Sequence, residues 1–165
     1  MLVPVPTVTP DPTAVLRDAR LRVTAARLAV LRVLTDSPHV AADAIAASVR
    51  DALGTVSTQA VYDVLRALTT AGLVRRIEPA GSAALYETRT GDNHHHLVCR
   101  TCGAITDVDC AVGEAPCLEP YQNQGYEVDE AEVVYWGTCS RCRSTSSSIT
   151  DPTPFPNPIP QEPSR

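Results

Sequence analysis

Two Cys-x-x-Cys knuckles, Cys99-Arg-Thr-Cys102 and Cys139-Ser-Arg-Cys142, constrain this chain more than any other feature. Four thiolates in two such pairs suit a closed tetrahedral Zn2+ site with Zn–S bonds of about 2.3 Å. Gly103 follows the first knuckle, as a tight turn requires. The 36 residues between the knuckles exceed the usual ribbon spacing, so regular structure must fit between them. Two disulfides or free thiols are the alternative. Disulfides are rare in reducing compartments, and the opening MLVPVPTVTPDP lacks the basic-then-apolar pattern of a secretory signal. No apolar run approaches the roughly 18 residues of a spanning helix. The expectation is a soluble, cytoplasmic protein with no membrane partner and a structural zinc. Four sulfurs leave that zinc no open position for catalysis.

Proline marks the ends. Four of the 14 prolines lie in residues 1–12 and six in residues 152–163. The Ser/Thr-rich run from Ser144 leads into proline at nearly every second position, which packed elements do not tolerate. Residues 1–12 and 144–165 therefore read as disordered and 13–143 as folded. Charge is uneven as well. Residues 1–90 carry 10 Arg against 8 acidic residues, net +2, and residues 91–165 carry 4 against 11, net -7, giving the total of -5. Overall acidity argues against simple electrostatic DNA binding but leaves the first half eligible.

The first half reads as helices. Thr24 caps AARLAVLRVLT, with Ala25, Leu28, Val30, Leu31 and Leu34 at helical spacing, and Asp36-Ser37-Pro38 stops it. VAADAIAASVRDAL follows, with Ala42, Ile45, Ala46, Val49 and Leu53 on one face, ended by Gly54. Ser57 caps a third helix with the stripe Val61, Val64, Leu65 and Leu68, and Gly72 suits its C-terminal turn. A shorter helix near 13–20 precedes them. After Gly72 the period becomes two: LVRRIEP and AALYET form a hairpin. Three helices and a hairpin are the order of a winged helix-turn-helix over 13–90, the alternative being a helical domain with an incidental hairpin. Past Gly91-Asp92-Asn93, the strand-like HLVC, AITDVD and YEVDEAEVVYWGTC, with a helical stretch around 112–124, describe a small α/β domain over 91–143. The fold class is α+β. Cys110 and Cys117 remain outside the knuckles, as a redox pair or, more simply, as small buried residues.

A second metal signal is His94-His95-His96, in which His94 and His96 share one side of a strand. Two imidazoles on one face suit a divalent transition metal, and a solvated polar strand is the bland alternative. The nearby carboxylates Glu87, Asp92 and Asp107 are candidates to complete a mixed N/O site with these histidines. His39, in the other half, would let a metal clamp the two domains.

The stretches VSTQAVYDVLRALTTAGLV, LYE, HHHLVCRTCG and YWGTCSRC resemble the ferric uptake regulator (Fur) family of metal-dependent repressors. DNHHHLVCRTCG, TDVDCAVGEAPCL and DEAEVVYWGTC are similar to its FurA-type branch, often encoded beside a catalase-peroxidase. The resemblance covers about residues 15–143. It implies a winged-helix domain joined to a C-terminal α/β dimerisation domain. It makes Cys99, Cys102, Cys139 and Cys142 structural zinc ligands, and His39, Glu87, His94 and His96 ligands of a regulatory Fe2+ or Mn2+. Asp107 stands where peroxide-sensing members place a ligating aspartate; in those members bound Fe2+ reacts with peroxide, a ligand histidine is oxidised and DNA is released. Two departures stand out. A third family metal site would need positions 93, 95, 114 and 131, here Asn93, His95, Glu114 and Ala131, and half of that set is missing. Tyr62-Asp63 replaces the Tyr-Arg of many relatives.

On this reading the helix from Ser57 to Thr70 enters the major groove of a double-stranded operator. Tyr62 presses on a thymine methyl and Gln59 reads adenine. Arg20, Arg22, Arg27 and Arg66 meet phosphates, and Ser57 and Thr58 add backbone contacts at the helix start. A homodimer demands a roughly palindromic site. Three rivals stand beside the peroxide-sensing repressor: an iron- or zinc-homeostasis repressor, a small metallohydrolase using the histidines around an open metal, and a zinc-stabilised interaction module.

Overall fold

The computed structural model describes residues 11–79, 81–110, 120, 122–128 and 131–146. Four helices come first: α1 (Pro12–Asp18), α2 (Ala25–Asp36), α3 (Ala42–Leu53) and α4 (Thr58–Thr70), with β1 (Val40–Ala41) leading directly into α3. Asp11, Thr24 and Ser57 each accept a hydrogen bond from a first-turn N–H, on Thr13, Arg27 and Ala60 respectively, so three of the four starts are side-chain capped. Helix α4 ends in a Schellman turn. Leu73 N–H donates to Leu68 O and Gly72 N–H to Thr69 O, with Gly72 at φ +69°.

The helices close on one core: Leu16, Val30, Leu34, Ile45, Leu65 and Leu68 are at most 1% exposed. Two positions expected on the apolar faces lie outside it. Ala25 is exposed at the first turn of α2, and Leu53 is 39% exposed at the end of α3, where the chain turns off at Gly54. Strands β2 (Arg75–Ile77) and β3 (Leu85–Glu87) form the expected antiparallel hairpin. It has a third strand, since β1 pairs with β3 in the register Val40↔Tyr86 and gives the order β1-β3-β2.

A second sheet has the order β5-β4-β6, built from β4 (His94–Cys99), β5 (Ile105–Asp109) and β6 (Val134–Gly137). β4 and β5 are antiparallel neighbours, whereas β4 and β6 are parallel. Among the described residues of the run from Tyr126 to Cys139, only Val134–Gly137 is strand, and α5 (Ser140–Ser146) follows, with Ser144 and Thr145 hydroxyls donating back to the carbonyls of Ser140 and Arg141. Most of the helical stretch expected around 112–124 lies outside the described residues; those described within it, 120 and 122–124, are not helical. Fold class thus matches expectation: a winged helix-turn-helix and a small α/β unit. No helix among the described residues is long and apolar enough to cross a membrane.

Leu65→Ala should lower unfolding free energy by about 2–5 kcal/mol, through lost burial and the cavity left behind. Leu53→Ala should stay within about 0.5 kcal/mol. Urea denaturation of both variants checks the assigned core edge, and equal losses would contradict it.

Candidate metal centres and nucleic-acid interface

Parallel pairing of β4 and β6 sets Cys99 opposite Gly137, so both knuckles emerge from the same end of the sheet. The sulfurs of Cys99, Cys102, Cys139 and Cys142 all lie within 4.8 Å of one another, and Cys102 Sγ stands 3.8 Å from Cys139 Sγ. Tetrahedral ligation with bonds of about 2.3 Å places sulfurs roughly 3.8 Å apart, so the spacing fits zinc. No disulfide joins any of the five described cysteines. The backbone amides of Cys139 and Cys102 pull the Cys99 thiol down to about 5, the former donating at 3.3 Å. Cys102 and Cys139 together push Cys142 up to about 12. Crowded thiols resist ionising together unless a cation compensates them, and this donor set fits one. Cys110 is half-buried after β5; Cys117 lies outside the described residues.

The second cluster is built from two cross-strand pairs. Continuing the β1–β3 register one residue beyond Val40↔Tyr86 sets His39 opposite Glu87, and His39 Nε2 lies 2.9 Å from Glu87 Oε2. In the second sheet His96 is the register partner of Asp107, with Nε2 3.6 Å from Oδ1. The pairs meet: His39 Nε2 is 2.8 Å from Asp107 Oδ1, and His96 Nε2 is 3.4 Å from Glu87 Oε2. One donor atom from each of His39, Glu87, His96 and Asp107 falls within 4.8 Å of the other three. His94 flanks the group. Its Nε2 is 3.2 Å from Glu87 Oε1, while Nδ1 stands 2.7 Å from Asp92 Oδ1.

Burial makes this arrangement costly without a cation. Glu87 has no exposed surface and His96 only 1%. Buried His39 Nε2 and Asp107 Oδ1 are close together, yet neither is aligned for a hydrogen bond. Burial alone would raise the Glu87 carboxyl, but the imidazoles of His39, at 2.9 Å, and His96 outweigh it and hold the group well below the usual range. For His39, burial pulls the other way and is overcome by Glu87 and Asp107, leaving the imidazole above its ordinary 6.5. His39 also takes φ +60°, unusual for a residue other than glycine. Two nitrogens and two carboxylates around one point fit a divalent transition metal.

Helix α4 and the wing enclose a groove of about 400 Å³ lined by Gln59, Tyr62, Asp63, Arg66, Arg76 and Tyr86, among others. Tyr62 is 41% exposed and its hydroxyl donates to Asp43 Oδ1 at 3.1 Å. Gln59 and Arg66 both donate to Asp63 Oδ1, at 3.3 and 3.1 Å. Ser57 is engaged in its cap, and Thr58 accepts from Arg50 at 2.7 Å. Arg20 and Arg22 are exposed between α1 and α2, where Arg27 Nη1 donates to the Arg22 carbonyl at 2.6 Å. Gln59, Tyr62 and Arg66 thus share the groove, while Arg20, Arg22 and Arg27 sit apart from it. Sequence reasoning missed Arg76, Asp43 and Arg50; the alternation of Arg75 and Arg76 along β2 was the available signal for the first.

Residues 18–136 match the model of the ferric uptake regulator family. The chain belongs to that family. It is 57% identical over 143 residues to the transcriptional regulator FurA of Mycobacterium tuberculosis, covering 87% of this chain and 97% of that one. It is likewise 57% identical over 133 residues to ferric uptake regulation protein 1 of Mycolicibacterium fortuitum, covering 81% and 83%. Among solved structures, the manganese-containing ferric uptake regulator of Pseudomonas aeruginosa aligns with a TM-score of 0.61 at 28% identity, over 78% of this chain and 98% of that one. Fur-family proteins are metal-dependent regulators that bind DNA as dimers, so the chain is a transcriptional regulator and not an enzyme. The metallohydrolase and interaction-module readings are thereby set aside.

The raised His39 value predicts a pH-dependent stability. A raised folded pKa contributes stability fully present below 6.5 and lost as pH rises through the folded value. Glu87, shifted down, contributes above its ordinary 4.5 and loses that only in acid. The zinc-loaded protein without a second metal should therefore melt at lower temperature as pH goes from 6 to 8.5. The stabilisation added by saturating Mn2+ should grow over the same interval, because protons stop competing for His39. Thermal melts at each pH check this, and parallel slopes with and without Mn2+ would contradict it.

Proposed function

We propose that the chain is a metal-dependent repressor that binds a roughly palindromic operator as a homodimer and is released when peroxide oxidises its Fe2+ site. Its targets on this reading are a catalase-peroxidase gene and its own gene. The observation that carries it is the convergence of His39, from the winged-helix half, with Glu87, His96 and Asp107. Cys99, Cys102, Cys139 and Cys142 hold structural zinc; His39, Glu87, His96 and Asp107, flanked by His94, hold the regulatory ion.

Fe2+ supplies the one-electron chemistry with peroxide that oxidises a neighbouring imidazole. The protein's own part is positional. His39 and Glu87 sit at the end of the wing sheet, and His96 and Asp107 on facing strands of the second sheet. Bringing the four donors together fixes the winged helix against the second domain, and in a dimer it sets the spacing of the two α4 helices. A coupling of about 1–3 kcal/mol changes DNA affinity by roughly 5- to 150-fold. From the groove, Tyr62 and Gln59 face base edges and Arg66 meets a phosphate; apart from it, Arg20, Arg22 and Arg27 meet further phosphates, with Ser57 and Thr58 at the helix start. The exposed pair Leu97 and Tyr135, register partners on β4 and β6, offers apolar surface for the dimer.

A repressor reporting iron or zinc supply is the second reading, favoured by the names of the ferric uptake regulation proteins that the chain resembles. Binding to the promoter of the protein's own gene separates the two. With zinc in the cysteine site, Fe2+ and Mn2+ should each support binding, and a low dose of peroxide should abolish only the iron form. Binding that ignores peroxide would favour metal supply. His96→Ala should keep the fold and zinc yet lose metal-dependent binding, whereas Cys99→Ser should impair folding or dimerisation.

A further inference from the structure

The link between the wing and the second sheet, residues 88–93, carries Arg89, whose guanidinium engages three carboxylates. Nε donates to Asp92 Oδ2 at 2.5 Å, Nη2 donates to Asp109 Oδ1 at 2.5 Å, and Nη1 lies 3.9 Å from Asp107 Oδ2. Two of these carboxylates turn their other oxygen toward the candidate site, Asp107 as one of its four donors and Asp92 through the flanking His94. Asp107 Oδ1 is the atom 2.8 Å from His39 Nε2, and Asp92 Oδ1 is 2.7 Å from His94 Nδ1. Asp92 thus fixes the direction of the His94 ring, whose other nitrogen, Nε2, lies 3.2 Å from Glu87 Oε1.

We propose that Arg89 is a positioning residue for the regulatory metal: it orients the Asp107 carboxylate and, through Asp92, the His94 ring. This inference rests on the metal-site reading above. Register supports it independently. His94 pairs with Asp109 and His96 with Asp107, so Arg89 spans the two rungs of the β4–β5 ladder that carry the histidines. Charge and position predict opposite signs. As a nearby cation, Arg89 repels a divalent ion, but it is 36% exposed and solvent screens it, so its removal on charge grounds would strengthen binding only a few-fold. Losing a partner that orients ligands weakens metal affinity by about 10- to 100-fold. Position should win.

The test is Mn2+ titration of the zinc-loaded full chain, followed by the EPR signal of free Mn2+, for wild type, Arg89→Ala, Arg89→Lys, Asp92→Asn, the Arg89→Ala/Asp92→Asn double variant and His96→Ala. Arg89→Ala should weaken Mn2+ by about 10- to 100-fold with cysteine-bound zinc unchanged. Arg89→Lys should recover only part, since an ammonium cannot reproduce the fork. In the Asp92→Asn background, Arg89→Ala should cost several-fold less, because part of its action runs through Asp92. Wild-type or tighter affinity in Arg89→Ala, alongside lost binding in His96→Ala, would overturn this inference and leave the site reading intact. Undiminished binding in His96→Ala would overturn the site reading itself. Should Arg89→Ala lose zinc or fold poorly, Arg89→Lys and Asp92→Asn decide: each must weaken Mn2+, and unchanged affinity in both overturns the proposal.

Discussion

A carboxylate removed from water must have its charge answered, and Glu87 is answered from both halves of the chain. His39 reaches it from the segment ahead of β1, and His94 and His96 from β4 in the second sheet. With no exposed surface, Glu87 cannot fall back on solvent when a partner leaves. The relation of the winged helix to the second domain is therefore tied to the state of this one group. On the function proposed above, a cation shared by the same donors would turn that tie into a switch, because its charge would compensate Glu87 and Asp107 together.

The thiolate cluster does a different job at the far end of the same sheet. Only the parallel pairing of β4 with β6 brings Cys99 and Cys139 to one end, and an antiparallel pairing would have separated the knuckles. On the function proposed above, zinc held there would lock strand order, leaving the histidines at the start of β4 to the other domain. One six-residue strand, His94–Cys99, thus carries residues of both clusters, one at each end.

Much of this was legible in the residues. The capped helices, the switch from a period near 3.6 to a period of two after Gly72, and the two knuckles each state a local preference that the fold honours. The convergence of His39 with Glu87 was available only through family resemblance, because it depends on the two-residue strand Val40–Ala41, too short to leave a periodic signal. His96 and Asp107 met through register, which a single strand does not encode. Asp92 was legible as a carboxylate near the histidines, but the structure sets it on His94 Nδ1 and outside the group of four donors; Arg89 escaped notice because, in a link with a Gly-Asp-Asn turn, an arginine looks solvated until its partners are seen. Leu53 failed the other way, matching the apolar face of α3 but standing past the point where the core ends. α5 was missed because serine and threonine are weak helix formers, and the knuckle cysteine Cys142 sits inside it.

The central claim is that one metal takes ligands from both domains. Pulsed EPR of the Mn2+-loaded, zinc-replete protein labelled with 15N-histidine tests it most directly, with His39→Asn as the comparison. The account predicts imidazole nitrogen couplings in the wild type, one fewer coupled nitrogen in the variant, and Mn2+ affinity at least about tenfold weaker. An identical nitrogen pattern and unchanged affinity in the variant would mean that the winged-helix domain contributes no ligand, and the link between metal and DNA geometry would have to lie elsewhere.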